Sequence, residues 1–106
     1  MPAYLIADVE VHDAAGYEAY RHGVPDALGP YGGRYLARAG ATVLLEGAPP
    51  PNRSVVIEFP SLAKLQAFWN SSEYRPLREV RERTAKSRIY AVEGLDVPLS
   101  AAHLPK

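Results

Sequence analysis

The chain contains no cysteine, which removes a disulfide framework, a thiolate nucleophile and any cysteine-based metal site. It also lacks net charge: twelve Lys and Arg stand against twelve Asp and Glu, so no protein-wide field draws it to nucleic acid or to anionic lipid. No stretch approaches the ~18 consecutive apolar residues of a membrane-spanning helix. The opening Met-Pro-Ala-Tyr-Leu-Ile-Ala-Asp8 has no basic region and meets a charge by Asp8, unlike a secretory signal, so a cytoplasmic location is expected. What remains is 106 residues at 47% hydrophobic and 23% charged, the composition of one globular domain. Residues 1–95 carry recognisable elements, and 96–106 read as a C-terminal tail.

From Ala3 to Val11 the odd positions are all apolar, which predicts a strand with one dry face. Asp13 stands as an N-cap before a helix in which Tyr17, Tyr20, Val24 and Leu28 recur at helical spacing. Pro25 removes a backbone donor and crowds the preceding turn, so a kink or restart is expected there. Arg34 to Ala39 reads as a second strand, with Arg34, Leu36 and Arg38 on one face and Tyr35 and Ala37 on the other. Gly40 suggests a bend before Thr42 to Leu45 continue it, and the Pro-rich stretch 47–53 is a loop. Val55 to Phe59 is a third strand stopped by Pro60. Ser61 caps a helix with the seam Leu62, Leu65, Phe68 and Trp69. After a break at 70–72, a second helical piece carries Leu77, Val80 and Thr84. Its charges, among them Arg75, Arg78, Arg81 and Glu82, read as a solvated face. Arg88 to Glu93 is the fourth strand.

Strand, helix, strand, loop, strand, helix, strand is the βαββαβ order of an α+β, ferredoxin-like fold: a four-stranded antiparallel sheet with the helices on one face. Right-handed crossovers place strand three between strands one and two, and strand four outside strand one. Leu5, Ala7, Val9, Ala37, Ile57 and Phe59 are expected beneath the helices. The other sheet face carries Ile6, Leu36 and Val56 beside Asp8, Arg34, Arg38 and Glu58, too apolar to stand bare and too charged for a plain core. A second subunit packed face to face, giving a homodimer, is the expected cover.

Tyr17-Glu-Ala-Tyr20, Gly32-Gly-Arg-Tyr-Leu-Ala-Arg38, Glu46-Gly47, Val56-Ile-Glu-Phe-Pro-Ser61, Asn70-Ser-Ser-Glu-Tyr74 and Glu93-Gly94 occur in this order. Together they resemble an uncharacterised bacterial domain-of-unknown-function family of the dimeric α/β-barrel superfamily, over residues 3 to 95. The resemblance implies a ferredoxin-like protomer and a homodimer. It supplies no reaction, because the superfamily includes cofactor-free monooxygenases, muconolactone isomerases, stress-responsive barrels and haem-binding chlorite dismutases. Ser72 stands where that family commonly has proline, and the tail lies outside the likeness.

Two functional readings follow. In the first the protein is a cofactor-free enzyme or binder of a small aromatic or carboxylate-bearing metabolite. Arg38 holds an anion, Glu58 or Asp8 removes a proton, and Tyr17, Tyr20 and Trp69, with Tyr74, form an aromatic wall. In the second it is a non-enzymatic dimeric structural or interaction module, and Arg38 pairs with Glu58 or Asp8 to fix the interface. Nucleic-acid binding through the sheet is disfavoured, since mid-strand Asp8 and Glu58 repel phosphates and no RNA-recognition strand motif is present. His12, His22 and His103 show no metal-ligand spacing, so neither a metal nor a cofactor is expected.

Overall fold

A computed structural model describes residues 1–97, 99 and 100. The chain runs β1 (Ala3–Val11), α1 (Ala14–Leu28), a 3-10 turn (Gly29–Tyr31), β2 (Arg34–Arg38), β3 (Arg53–Phe59), α2 (Leu62–Trp69), α3 (Arg75–Thr84) and β4 (Ala85–Glu93). The sheet order is β2-β3-β1-β4, and every neighbouring pair is antiparallel. The fold is ferredoxin-like, with the second crossover split into two helices. The tail expected over 96–106 lies largely outside the described residues.

The alternation in β1 decides which face is dry. Ala3, Leu5, Ala7 and Val9 are buried, as are Val55, Ile57 and Phe59 of β3, and Leu5 stands opposite both Ile57 and Ala91. Against them pack Tyr17, Val24, Ala27 and Leu28 of α1 with Leu65 and Phe68 of α2. Phe68 centres the aromatic contacts, its ring centroid 5.5 Å from Phe59 and 4.6 Å from Tyr74. Burial of this one-sided apolar surface is what drives the helices onto the sheet.

Local signals start and stop the helices. The Asp13 carboxylate accepts the Gly16 N–H at 3.0 Å. A Cβ at position 16 would lie 2.4 Å from Asp13 Oδ2, so a larger residue there would displace the capping carboxylate. Ser61 Oγ caps α2 by accepting the Lys64 N–H at 3.1 Å. Between α2 and α3 the buried Ser71 hydroxyl donates to the Phe68 carbonyl at 2.7 Å and accepts the Tyr74 N–H at 3.1 Å, so the one buried residue of the break at 70–72 is hydrogen-bonded in both directions.

Four expectations are corrected. Pro25 does not restart the helix: α1 runs unbroken through it from Ala14 to Leu28. The Arg21 carbonyl, four residues earlier and deprived of its normal donor, instead accepts Nη2 of Arg38 at 2.7 Å. Second, β2 slips register between Tyr35 and Ala37, so Leu36 is the extra residue of a bulge. Arg38 thereby stands opposite inward-facing Val55, and Ala37 opposite outward-facing Val56. Arg38 faces the helices and Ala37 the open side, the reverse of simple alternation. Third, Thr42 to Leu45 form no strand, and Val43 and Leu45 are 79% and 93% exposed. Ala39, at a left-handed φ of 54°, turns the chain away after its N–H bonds the Ser54 carbonyl. Fourth, β4 begins at Ala85 rather than Arg88, paired to β1 as far as Val11.

Candidate functional site

The open face of the sheet holds both carboxylates named as possible bases. Glu58 pairs with Arg34, whose Nη2 lies 2.6 Å from Glu58 Oε1, and not with Arg38, which the bulge has carried to the other side. Asp8 stands between Ser54 and Arg88 in the strand register. Beside these charges runs an apolar row in which Ile6 is flanked by Val56 and Tyr90, with Leu36 and Val92 exposed nearby.

On the helix side, Tyr17, Tyr20 and Arg38 do come together. They line a cavity under α1 with Tyr35 and Arg53, above a floor that includes Ala7 and Ile57. The Arg38 guanidinium lies 4.5 Å over the Tyr35 ring and that of Arg53 5.3 Å over Tyr17. The wall contains three arginines, three tyrosines and no carboxylate. Its space is only about 30 Å³, room for a water molecule rather than a metabolite. Burial raises the pKa of Tyr17, opposed by the Arg53 charge. It raises that of Tyr35 as well, and that of Tyr20 furthest, reinforced by Tyr74. These phenols are therefore neutral hydrogen-bonding groups at neutral pH, not bases.

Larger space lies at the β4 edge, and Trp69 is its hinge. One hollow of about 300 Å³ has Trp69, Leu5, Leu65, Ile89 and Ala91 in its wall, a size and apolar character suited to a small organic molecule. A second, of about 340 Å³, shares Trp69 and Ile89 and adds Arg78, Arg81, Glu82 and Ser87. The Arg78 guanidinium lies 4.6 Å from the Trp69 ring and that of Arg81 5.8 Å. The cavity under α1 and this groove meet through a phenol pair: the Tyr20 and Tyr74 hydroxyls are 2.8 Å apart, and the Tyr74 ring packs 5.3 Å from Trp69.

Arg81 is the most unusual group in the groove. It is 6% exposed and makes no ion pair among the described residues; its Nε is buried with no partner among them, while Nη1 donates to Ser87 Oγ. Glu82, its sequence neighbour, accepts instead from Arg78 Nε at 3.0 Å. Burial by itself pulls the guanidinium pKa down, yet Tyr74, Tyr20 and Glu82 more than offset it and the net direction is up. Arg81 is therefore a fixed cation.

Sequence reasoning missed Arg81 and Arg53. Arg81 was absorbed into a charged helix face, although it falls four residues after Leu77 and three before Thr84, on the inward stripe that those residues define. Arg53 opens β3 after a Pro-rich loop and carried no signal of its own, but it alternates with Val55 and so points to the helix side. Of the histidines, His22 lies 3.1 Å from Glu18, His12 is exposed, and His103 lies outside the described residues. Among the described residues no cluster of three or more His, Asp or Glu is placed to hold a metal, and no helix is long and apolar enough to cross a membrane.

A four-stranded antiparallel sheet with helices on one face and a groove at its β4 edge defines a ferredoxin-like α+β protein. Residues 2–95 match the family described as domain of unknown function DUF1330, and the chain belongs to that family. No protein of curated function matches the sequence. The fold is similar to that of a protein of unknown function from Rhodopseudomonas palustris, at a TM-score of 0.74 and 19% identity over 91% of this chain and 84% of that one. It is similar to SnoaB, a cofactor-independent oxygenase from Streptomyces nogalater, at a TM-score of 0.63 and 13% identity over 91% and 95% of the two chains. It is also similar to a dimeric protein of unknown function with a ferredoxin-like fold from Bacteroides fragilis, at 0.53 and 11% over 88% and 96%. At these identities the likenesses establish the fold.

Proposed function

We propose that this protein is a homodimer that binds a small aromatic or carboxylate-bearing molecule in the groove at Trp69, without a metal or organic cofactor. The observation that carries the reading is Trp69 itself, a ring shared by an apolar hollow of about 300 Å³ and a cationic one of about 340 Å³. A flat ligand gains from the apolar wall and from the arginines around it. The open sheet face supports the dimer: the row Tyr90, Ile6 and Val56 is flanked by the Arg34–Glu58 pair, a mixed surface that a two-fold partner matches with its own copy. The Bacteroides protein of the same fold is described as dimeric, and the cofactor-independent oxygenase shows that such a scaffold can work without a cofactor.

In this arrangement Asp8 and Glu58 belong to the subunit interface, on the opposite side of the sheet from the ligand. Tyr17, Tyr20 and Arg38 back the groove through the Tyr20–Tyr74 pair. The test is titration of the protein with small aromatic acids and alcohols, followed by the fluorescence of Trp69, the chain's single tryptophan. Saturable quenching or enhancement that disappears in Leu65→Arg, together with a dimeric mass in solution, is the expected result. Absence of any saturable response across such a panel would remove the binding reading and leave the dimeric module as the function.

A further inference from the structure

Resting on the groove as the binding site, the structure assigns its ligand a narrower class: we infer that Arg81 anchors the carboxylate of an aromatic monocarboxylic acid whose ring lies in the apolar hollow beside Trp69. Arg81 is held under the groove with 6% of its surface exposed and its Nε unbonded. A guanidinium in that state has given up most of its hydration, and the Ser87 and Tyr74 hydroxyls and the nearby ring faces around it are neutral partners, so no carboxylate is paired with its charge among the described residues. A carboxylate is the group that neutralises that charge, through a charge-assisted hydrogen bond.

The surrounding wall sets the remaining terms. Glu82 is engaged by Arg78 and is not free to supply the missing anion. Its negative charge, standing in the same wall as Arg78 and Arg81, leaves an excess of one positive charge, enough for a monoanion and unfavourable to a second carboxylate. Because the two hollows share Trp69 and Ile89, a ligand lying across them places its ring on Leu5, Leu65 and Ile89 while its acid end reaches Arg81 and Ser87. An aliphatic acid would forgo the ring contact, and an aromatic alcohol the charge.

Benzoate, benzyl alcohol and acetate, titrated separately against the full chain with Trp69 fluorescence as the readout, separate these contributions. Benzoate is expected to bind at least about ten-fold more tightly than either of the others, the size of a lost charged hydrogen bond or of a buried ring. Arg81→Met should erase the preference for benzoate over benzyl alcohol while leaving benzyl alcohol binding in place, and Arg81→Lys should restore part of it. Arg53→Ala, in the cavity under α1, should leave the preference intact. Equal binding of benzoate and benzyl alcohol, or a preference unchanged in Arg81→Met, would overturn the assignment and leave the groove standing. Failure of all three ligands would overturn both. Should Arg81→Met not fold, the wild-type comparison and Ser87→Ala, expected to weaken benzoate alone, decide the matter.

Discussion

The Arg38 guanidinium donates to the Arg21 carbonyl at 2.7 Å, closing the gap that Pro25 opens in α1. A side chain from β2 thus supplies the donor that proline cannot, and a helix expected to kink or restart there stays continuous. The relationship makes a thermodynamic cycle available. Arg38→Ala should lower stability by about 1 kcal/mol, the net worth of one such bond. In a Pro25→Ala background, where residue 25 regains its own N–H, the same change should cost clearly less. Urea denaturation of the four proteins gives the coupling, and purely additive losses would show that Arg38 does not serve this carbonyl.

That bond also shows where the sequence stopped being informative. The dry face of β1, the caps at Asp13 and Ser61, the stop at Pro60 and the sheet order follow from periodicity, hydrogen-bonding chemistry and crossover handedness, all local or nearly so. The faces of β2 do not, because one extra residue at Leu36 inverts the alternation and only pairing with β3 reveals it. The apolar run Val43 to Leu45 resembles a strand, yet the left-handed turn at Ala39 leads it off the edge of the sheet. Of the candidate site, Trp69 and the tyrosines were legible as an inward aromatic seam. Arg81 was not, since a charged residue on a charged helix reads as solvated until its neighbours at helical spacing are considered.

The open face yields a prediction about assembly. Val56 sits in the row between Ile6 and the β2 edge, where two facing sheets would bury it. Val56→Asp should convert the proposed dimer to a monomer, as read by sedimentation velocity, with an unchanged far-ultraviolet circular dichroism spectrum. A dimer that survives this substitution at micromolar concentration would place the interface elsewhere.

Glu58 separates interface from catalysis. Its partner Arg34 is 71% exposed, so in an isolated protomer the pair contributes at most about 1 kcal/mol. Glu58→Gln should therefore leave protomer stability nearly unchanged, weaken dimerisation by a few-fold and leave ligand affinity at Trp69 unaltered. Loss of ligand affinity with the dimer intact would return Glu58 to the site.

Ser71 joins the two helices of the second crossover through two buried bonds, to the Phe68 carbonyl and from the Tyr74 N–H. Ser71→Ala strands the Tyr74 N–H in the core, while the Phe68 carbonyl keeps the Ser71 N–H at 3.1 Å, and a loss of about 1–3 kcal/mol is expected. Since Trp69 and Tyr74 flank this turn, the groove should loosen with it. Urea unfolding monitored by Trp69 fluorescence reports both effects, and a loss below about 0.5 kcal/mol would mean that water replaces the hydroxyl.

The buried phenols set an alkaline limit to the fold. Burial, then the charge and hydrogen bond of Tyr74, hold the Tyr20 pKa well above its ordinary value of 10.0, and Tyr17 and Tyr35 shift the same way. In the unfolded chain these groups lose their protons near pH 10, whereas in the folded protein they keep them to higher pH. Their contribution is therefore fully present below about pH 10 and is lost as pH rises toward the folded values, at up to about 1.4 kcal/mol per pH unit for each group. Tyrosinate absorbance near 295 nm should rise in two stages, the later one coinciding with loss of near-ultraviolet circular dichroism. Tyr20→Phe should lower stability at neutral pH, because Tyr74 loses its 2.8 Å partner, and should also flatten the alkaline limb. Complete ionisation of the tyrosines in a single stage with tertiary structure intact would show that the phenols beneath α1 are open to solvent.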